Sequence, residues 1–213
     1  MEDLSEKEQL EALRAWWAEN GNSVIGGMVL GIVVIFGRNR WQSNIARTEI
    51  AASTLFEDVM DAASLDNIDN GTFAANDLFE NYATSPYAAH ARLAMARLYM
   101  DNGRDQDAAD VLQALIDSQP DTQLALVARL RLAKIFLYQD RPQAVLDLLQ
   151  DVPESAFDQR FNEVLGDAYV TLESYTEAEA AYISALGDVS VIGTVDQTLI
   201  KLKINDLPFV TDE

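Results

Sequence analysis

Few side chains in this sequence combine the types and spacing that catalysis or metal binding requires. The single histidine, His90, has no second histidine as a metal partner, and the chain contains no cysteine. Residues 66–71 resemble the start of a calcium-binding loop, but Ile68 occupies a ligand position and Asp77 replaces the closing glutamate. A phosphate-binding loop, a nucleophile elbow and a dinucleotide fingerprint are also absent from the sequence. We therefore predict that the protein is not an enzyme and has no catalytic residues, metal site or cofactor.

Composition indicates one acidic folded domain with an appendage. The 213 residues carry 15 Lys and Arg against 35 Asp and Glu, a formal charge of −20, and 49% of them are hydrophobic. From Trp41 onward there are 11 basic and 29 acidic residues, so this part alone carries −18. Such a negative charge repels phosphate backbones, which excludes nucleic acid as a partner.

The appendage has the features of a transmembrane helix. Residues 20–37 contain no charged side chain, and a helix of that length spans about 27 Å, close to the ~30 Å hydrocarbon core of a bilayer. The sequence predicts a transmembrane anchor at 22–40, in preference to a buried helix of a soluble protein or a cleaved signal peptide. Residues that suit the membrane interface flank the anchor on both sides: Trp16, Trp17, Arg38, Arg40 and Trp41.

Residues 1–21 form an amphipathic segment that we expect to lie along the membrane surface. The Asn-Gly pair at 20–21 is predicted to end its helix, with residue 22 or 23 capping the next, so that the chain bends on entering the bilayer. Within the anchor, Gly27 and Gly31 have the G-x-x-x-G spacing that lets membrane helices pack closely, with a partner or in a homo-oligomer. Basic residues are balanced across the anchor and do not decide its orientation.

Residues 41–213 are rich in alanine and leucine, and they show helical segments without an alternating strand pattern. Tyr99, Phe136 and Tyr169 are 37 and 33 residues apart, close to the ~34-residue period of a tetratricopeptide repeat. We therefore predict an all-α protein in which a single N-terminal transmembrane helix precedes a tetratricopeptide-repeat-like α-solenoid with capping helices. The predicted repeats are about 89–122, 126–157 and 159–192, with a loop at 66–72 and a last helix near 195–205.

Stacked helix pairs present a concave face that is lined by the first helix of each pair. Gly166 is predicted to lie at the tightest contact within a pair, because small residues let paired helices approach. Apolar residues and charges of both signs mix on the concave face, which suits an extended or helical peptide. The candidate protein-binding residues on this face are His90, Leu93, Arg97, Met100, Val127, Leu130, Lys134, Leu137, Glu163, Asp167 and Val170.

Three stretches of the chain together resemble the YfgM family of proteobacteria. They are EQLEALRAWWAENG at 8–21, the glycine-containing span that ends in GRNRW at 37–41, and LKINDL at 202–207. The resemblance implies an ancillary subunit of the SecYEG translocon in the bacterial inner membrane. It implies a single-pass protein whose N-terminus is cytoplasmic and whose repeat domain is periplasmic. It also implies a PpiD-type periplasmic chaperone as a partner, and assistance in the transfer of translocated polypeptides to periplasmic chaperones.

The leading hypothesis is therefore a membrane-anchored, protein-binding scaffold at the Sec translocon. The alternative is a membrane-tethered adaptor of the same fold that serves envelope assembly or cell division and is unrelated to secretion.

Overall fold

The structure, a computed structural model, describes residues 6–119, 122–187 and 195–208, without the side chains of residues 6, 7, 39 and 41–46. All regular elements within these ranges are helices, as the sequence predicts. The chain divides into two compact units, Met1–Ala51 and Ala52–Glu213. The helices are α1 (Glu6–Ser64), α2 (Ile68–Asn81), α3 (Pro86–Asp101), α4 (Asp105–Ser118), α5 (Gln123–Tyr138), α6 (Pro142–Leu149), α7 (Asp158–Thr171), α8 (Tyr175–Leu186) and α9 (Gln197–Asn205).

In the first unit, α1 contains a stretch, Glu8–Arg38, that is long and apolar enough to cross a membrane. Its apolar side chains face outward: Met28, Leu30 and Phe36 are 63%, 67% and 71% exposed. A helix that is apolar all round needs an apolar environment, and lipid supplies one. Along an uninterrupted helix, Trp17 and Arg38 lie about 32 Å apart, which matches the ~30 Å thickness of a bilayer core.

The predicted bend at residues 20–21 is wrong, because α1 continues through both residues. The Asn20 side chain donates from Nδ2 to the carbonyl oxygen of Trp16 at 3.1 Å, so its amide is satisfied without ending the helix. The indole of Trp17 lies against Gly21, where an added Cβ would be 3.2 Å from the indole Nε1. The Asn-Gly pair therefore accommodates local side chains inside one continuous helix.

The predicted loop at residues 66–72 is also wrong beyond Asn67, because α2 begins at Ile68. Asp66 turns the chain after α1 with a φ of +53°. The Oδ1 atom of Asn67 then accepts the N–H of Asn70 at 3.1 Å and caps α2. The run of Asp and Asn that resembles a calcium loop is thus a helix cap followed by the first turn of a helix.

Three helix pairs, α3–α4, α5–α6 and α7–α8, share one geometry at the turn within each pair. The turn residue has a positive φ in all three, and the next N–H bonds back to the carbonyl of the aromatic residue that marks the repeat. The turn residues are Gly103, Asp140 and Glu173, with φ of 68°, 56° and 59°. The backbone bonds join Arg104 to Tyr99 at 2.8 Å, Arg141 to Phe136 at 2.8 Å, and Ser174 to Tyr169 at 2.9 Å.

In the first two pairs the arginine of this turn also lies over the aromatic ring. The guanidinium carbon of Arg104 is 4.8 Å from the centroid of Tyr99, and that of Arg141 is 4.6 Å from the centroid of Phe136. Such a contact between a cation and a ring stabilises the turn further. The aromatic residues whose spacing predicts the repeat therefore also anchor the turns.

Small residues form the contact between the helices of a pair. Ala133 on α5 and Ala108 and Ala178 on second helices are fully buried. The two helices also approach closely at Gly166 on α7, where an added Cβ would overlap the ring of Tyr182 on α8. The ring fills the space that the missing side chain leaves, so the two helices pack without a void.

Replacing Gly166 with leucine tests this contact. We expect Gly166→Leu to lower the free energy of unfolding by about 1 to 3 kcal/mol, because the new side chain overpacks against Tyr182. Denaturant unfolding of the full-length protein in non-ionic detergent, followed by circular dichroism, measures the change. Ala180→Leu is the matched control, since Ala180 is exposed on α8 and should tolerate leucine. Equal losses in both variants would contradict the assigned contact.

Candidate protein-binding groove

The first helices of the three pairs lie side by side, with α3 next to α5 and α5 next to α7. Their exposed sides, together with the end of α1, form three neighbouring hollows that we call the inner groove. The first, about 680 Å³, is lined by Phe56, Met60, Ala63, Ser64, His90, Leu93, Ala94, Arg97, Leu98, Asp101 and Arg131. The second, about 280 Å³, is lined by Ala96, Arg97, Met100, Leu112, Arg131 and Ile135. The third, about 530 Å³, is lined by Val127, Leu130, Arg131, Lys134, Ala156, Phe157 and Arg160.

Most of the residues that the sequence predicts for a concave face line the inner groove. The structure brings seven of them to the three hollows: His90, Leu93, Arg97, Met100, Val127, Leu130 and Lys134. His90 is exposed, and its ring centroid lies 6.3 Å from that of Phe56. Mixed apolar and polar linings of this kind suit a polypeptide ligand, and the binding role of these residues stays a prediction.

The other four predicted residues lie outside these hollows. Leu137 is half-buried against the core that α5, α6 and α7 share, and Val170 packs against the core beneath α9. Glu163 and Asp167 form ion pairs with Lys203 on α9. The C-terminal helix thus contacts α7 where the sequence predicts a free binding surface.

Lys203 sits between two carboxylates and one aromatic ring. Its Nζ atom is 3.1 Å from Oε1 of Glu163 and 2.8 Å from Oδ1 of Asp167. The Lys203, Glu163 and Asp167 side chains are only 25%, 21% and 33% exposed, so solvent screens these pairs less than pairs on an open surface. The Tyr182 hydroxyl donates to the same Asp167 at 2.7 Å. We call this cluster the α9 clasp, because it attaches the last helix to the third helix pair.

The α9 clasp shifts two pKa values upward. Burial lowers the pKa of Lys203, but the hydrogen bonds and charges of Asp167 and Glu163 outweigh that effect and raise it. Burial, followed by the hydrogen bond to Asp167, raises the pKa of Tyr182. Both groups therefore hold their protons more tightly in the folded protein than in the unfolded chain.

Several residues of the inner groove are not among those that the sequence predicts. Arg131 lines all three hollows, and it lies four residues after Val127 and three before Lys134. This helical spacing is a signal that could have identified it. Phe157 precedes α7 in the connection from α6, where no periodicity exists to place a side chain. Only the packed structure reveals its contribution.

The charge of the inner groove is opposite to that of the domain. Arg97, Arg131, Lys134 and Arg160 line the hollows. Among the described residues of these linings, Asp101 is the single carboxylate, and its Oδ2 lies 3.4 Å from Nε of Arg97. A cationic strip thus runs along one side of a strongly acidic protein.

The residues predicted to act in the membrane lie on α1. Gly27 and Gly31 are open, since a Cβ added at either would meet no other atom within 4 Å. The flanking residues on which structure is described, Trp16, Trp17, Arg38 and Arg40, are all exposed. The side chain of Trp41 lies outside the described residues. Helix packing through the glycines and anchoring through the flanks stay predictions.

Alkaline pH tests the α9 clasp. Lys203 and Tyr182 have raised pKa values, so their contribution to stability is complete below the unfolded-state values, about pH 10, and is lost as pH rises further. We expect Lys203→Met to cost about 1 to 2 kcal/mol near neutral pH, because it leaves half-buried carboxylates without a partner. The melting temperature should fall less steeply with rising pH for Lys203→Met than for the natural protein. Lys201→Met is the control, and identical pH profiles for all three proteins would contradict the clasp.

Known proteins resemble this chain over much of its length. A family model described as a tetratricopeptide repeat-like domain matches residues 14–208. Two proteins named "Ancillary SecYEG translocon subunit", from Aggregatibacter actinomycetemcomitans and Haemophilus influenzae, are 27% and 26% identical to this chain. Each alignment covers 96% of this chain and 98% of the relative. A protein of the same name from Escherichia coli is 29% identical over 58% of this chain and 59% of its own length. The resemblance noted in the sequence is thereby confirmed. The chain belongs to the tetratricopeptide repeat-like domain family, and its homologues include proteins named as ancillary SecYEG translocon subunits.

Proposed function

We propose that this protein is a membrane-anchored scaffold that associates with the SecYEG translocon as an ancillary subunit and binds other polypeptides through its inner groove. The observation that carries the proposal is the extent of the alignment. Two relatives with that name align over 96% of the chain, so the similarity extends over the segment of the apolar helix as well as over the repeat domain. A relationship limited to the repeats would support only a general adaptor, since repeats of this class serve many scaffolds.

The inner groove supports the polypeptide-binding part of the proposal. Its hollows of about 280 to 680 Å³ are large enough for single side chains or short runs of a bound segment. Leu93, Met100, Leu130 and Phe157 supply apolar walls, and arginine and lysine supply donors along the rim. This combination of an apolar floor and a polar rim is the usual anatomy of a protein interface.

The anchor supports the proposed role at the translocon. A transmembrane helix beside the channel would keep the groove at a high local concentration near emerging polypeptides, which raises the occupancy of even a weak site. In this arrangement the groove receives either a translocated polypeptide or a PpiD-type periplasmic chaperone, and it assists the transfer between them. The repeat fold and the names of the relatives suggest a protein that binds rather than catalyses.

Crosslinking from α1 tests the association with the translocon. Val34 lies three residues after Gly31 on the same face of α1 and is 64% exposed, so a photoreactive amino acid at Val34 leaves both glycines of the G-x-x-x-G pair in place. We expect illumination of cells that carry this variant to crosslink the protein to a SecYEG subunit. Val29, 55% exposed and on another face of the helix, is the control position and should crosslink less. A product that contains only a second copy of the chain would show a homo-oligomer, and it would count against the translocon as the partner of this face.

Protease accessibility tests the proposed orientation. With the N-terminal segment in the cytoplasm and the repeat domain in the periplasm, protease added to spheroplasts should degrade the repeat domain and leave a short fragment that contains α1. An epitope at the N-terminus identifies that fragment, and a cytoplasmic marker protein controls for leakage. A repeat domain that resists the protease until the inner membrane is broken would show the opposite orientation.

A further inference from the structure

We propose that the inner groove selects polypeptide segments that combine acidic with apolar side chains. This inference rests on the proposed function and specifies the chemistry of the partner. The juxtaposition that carries it is a row of cations, Arg97, Arg131, Lys134 and Arg160, along apolar hollows in a domain that is otherwise acidic.

Basic residues are more frequent in the inner groove than in the rest of the unit. In the unit Ala52–Glu213 the sequence has 10 basic and 28 acidic residues. Four of these basic residues line the inner groove, whereas Asp101 is the single acidic residue among the described linings. Solubility alone is enough to explain an acidic surface. A cationic strip within it concentrates positive charge where a partner would dock.

Arg131 is the central residue of the strip. Its Nη1 atom donates to the backbone carbonyl of Leu93 at 3.0 Å, which ties α5 to α3 and holds the guanidinium between the hollows. A guanidinium has five N–H donors, and this bond uses one of them. Arg131 is exposed, so the other donors can reach a carboxylate, for which a planar fork is the best match.

Lys134 lies one turn further along α5 and is also exposed. Within the described parts of the chain it forms no ion pair, so its charge is free to act on a ligand. Lys134 and Arg131 both line the third hollow, beside Val127, Leu130 and Phe157. A segment with a carboxylate next to a leucine or phenylalanine side chain would match both features of this hollow.

The α9 clasp reduces the negative charge at the end of the inner groove. Glu163 and Asp167 follow Arg160 on α7, and unpaired they would repel an acidic ligand. Lys203 offsets one of these two negative charges, with Nζ to oxygen distances of 3.1 and 2.8 Å. The clasp therefore lowers the repulsion that an acidic ligand would meet at this end of the groove.

Electrostatics of this kind decides where and in which register a partner binds more than how tightly it binds. The Debye length of about 8 Å in physiological salt restricts attraction to segments close to the strip. The acidic outer surface repels the same segments elsewhere, so docking is confined to the inner groove. The apolar hollows then supply the affinity by burying hydrophobic side chains.

Peptide binding to the full-length protein in non-ionic detergent tests the inference. The probes are three fluorescein-labelled peptides of equal length with leucine and phenylalanine at the same positions and glutamate, glutamine or lysine at the others. Fluorescence anisotropy should show the glutamate peptide binding at least about tenfold more tightly than the lysine peptide at low salt, which is about 1.4 kcal/mol. Added salt should reduce that preference.

Two matched variants locate the effect. Lys134→Glu should weaken binding of the glutamate peptide about tenfold, because it reverses one charge of the strip. Lys201→Glu makes the same change at an exposed lysine of α9 and should weaken binding of this peptide less than about twofold.

Equal effects of the two variants, or equal affinities for the glutamate and lysine peptides, would overturn the inference. Equal affinities would leave polypeptide binding itself intact. Failure of every peptide to bind would overturn the inference as well, and the crosslink from α1 to SecYEG would then show separately whether the association with the translocon survives.

Discussion

The close approach of the two helices within each pair is the contact on which the rest of the repeat domain depends. It requires small residues, and at Gly166 the ring of Tyr182 occupies the place of a side chain. A pair packed in this way leaves one apolar side uncovered, so the next pair must stack on it. Stacking is what sets α3, α5 and α7 side by side. The inner groove is thus a geometric consequence of packing between helices, and its lining residues are those that the stack leaves exposed.

Charge and capping decide how much of that exposed surface is available. The domain carries its acidic residues mainly outside the groove linings, while Arg131 and Lys134 lie inside them. At the C-terminal end, α9 covers part of α7 and pairs Lys203 with Glu163 and Asp167. The last helix therefore has two effects, since it closes the open end of the stack and also changes the electrostatic environment of the groove. A solenoid of this length needs such a cap, because its terminal pair would otherwise expose its core.

The sequence was sufficient to predict the helical class, the membrane-length helix and the repeat, because each depends on a pattern that is local or periodic. The spacing of Tyr99, Phe136 and Tyr169 reappears as three turns of the same backbone geometry. The two errors in element boundaries have different causes. Asn20 and Gly21 lie inside α1, where the Asn20 amide donates to the carbonyl oxygen of Trp16. Asn67 does mark a helix end, but it caps the start of α2 by accepting the N–H of Asn70, so the predicted loop is shorter than 66–72.

The amino-acid sequence by itself determined which segments are helical, which one is apolar enough for a membrane, and where small residues let the two helices of a pair meet, since periodicity and residue size act over a few turns of chain. Helical periodicity also placed Val127, Leu130 and Lys134 on one face, because side chains three or four residues apart share a side of a helix. Only the tertiary structure decided which parts of that face stay open. Lys203 reaches Glu163 from 40 residues away in the chain, and Arg131 reaches the backbone of Leu93 from 38 residues away. Contacts between residues so far apart depend on how the helix pairs stack, and no local pattern in the sequence encodes their distances.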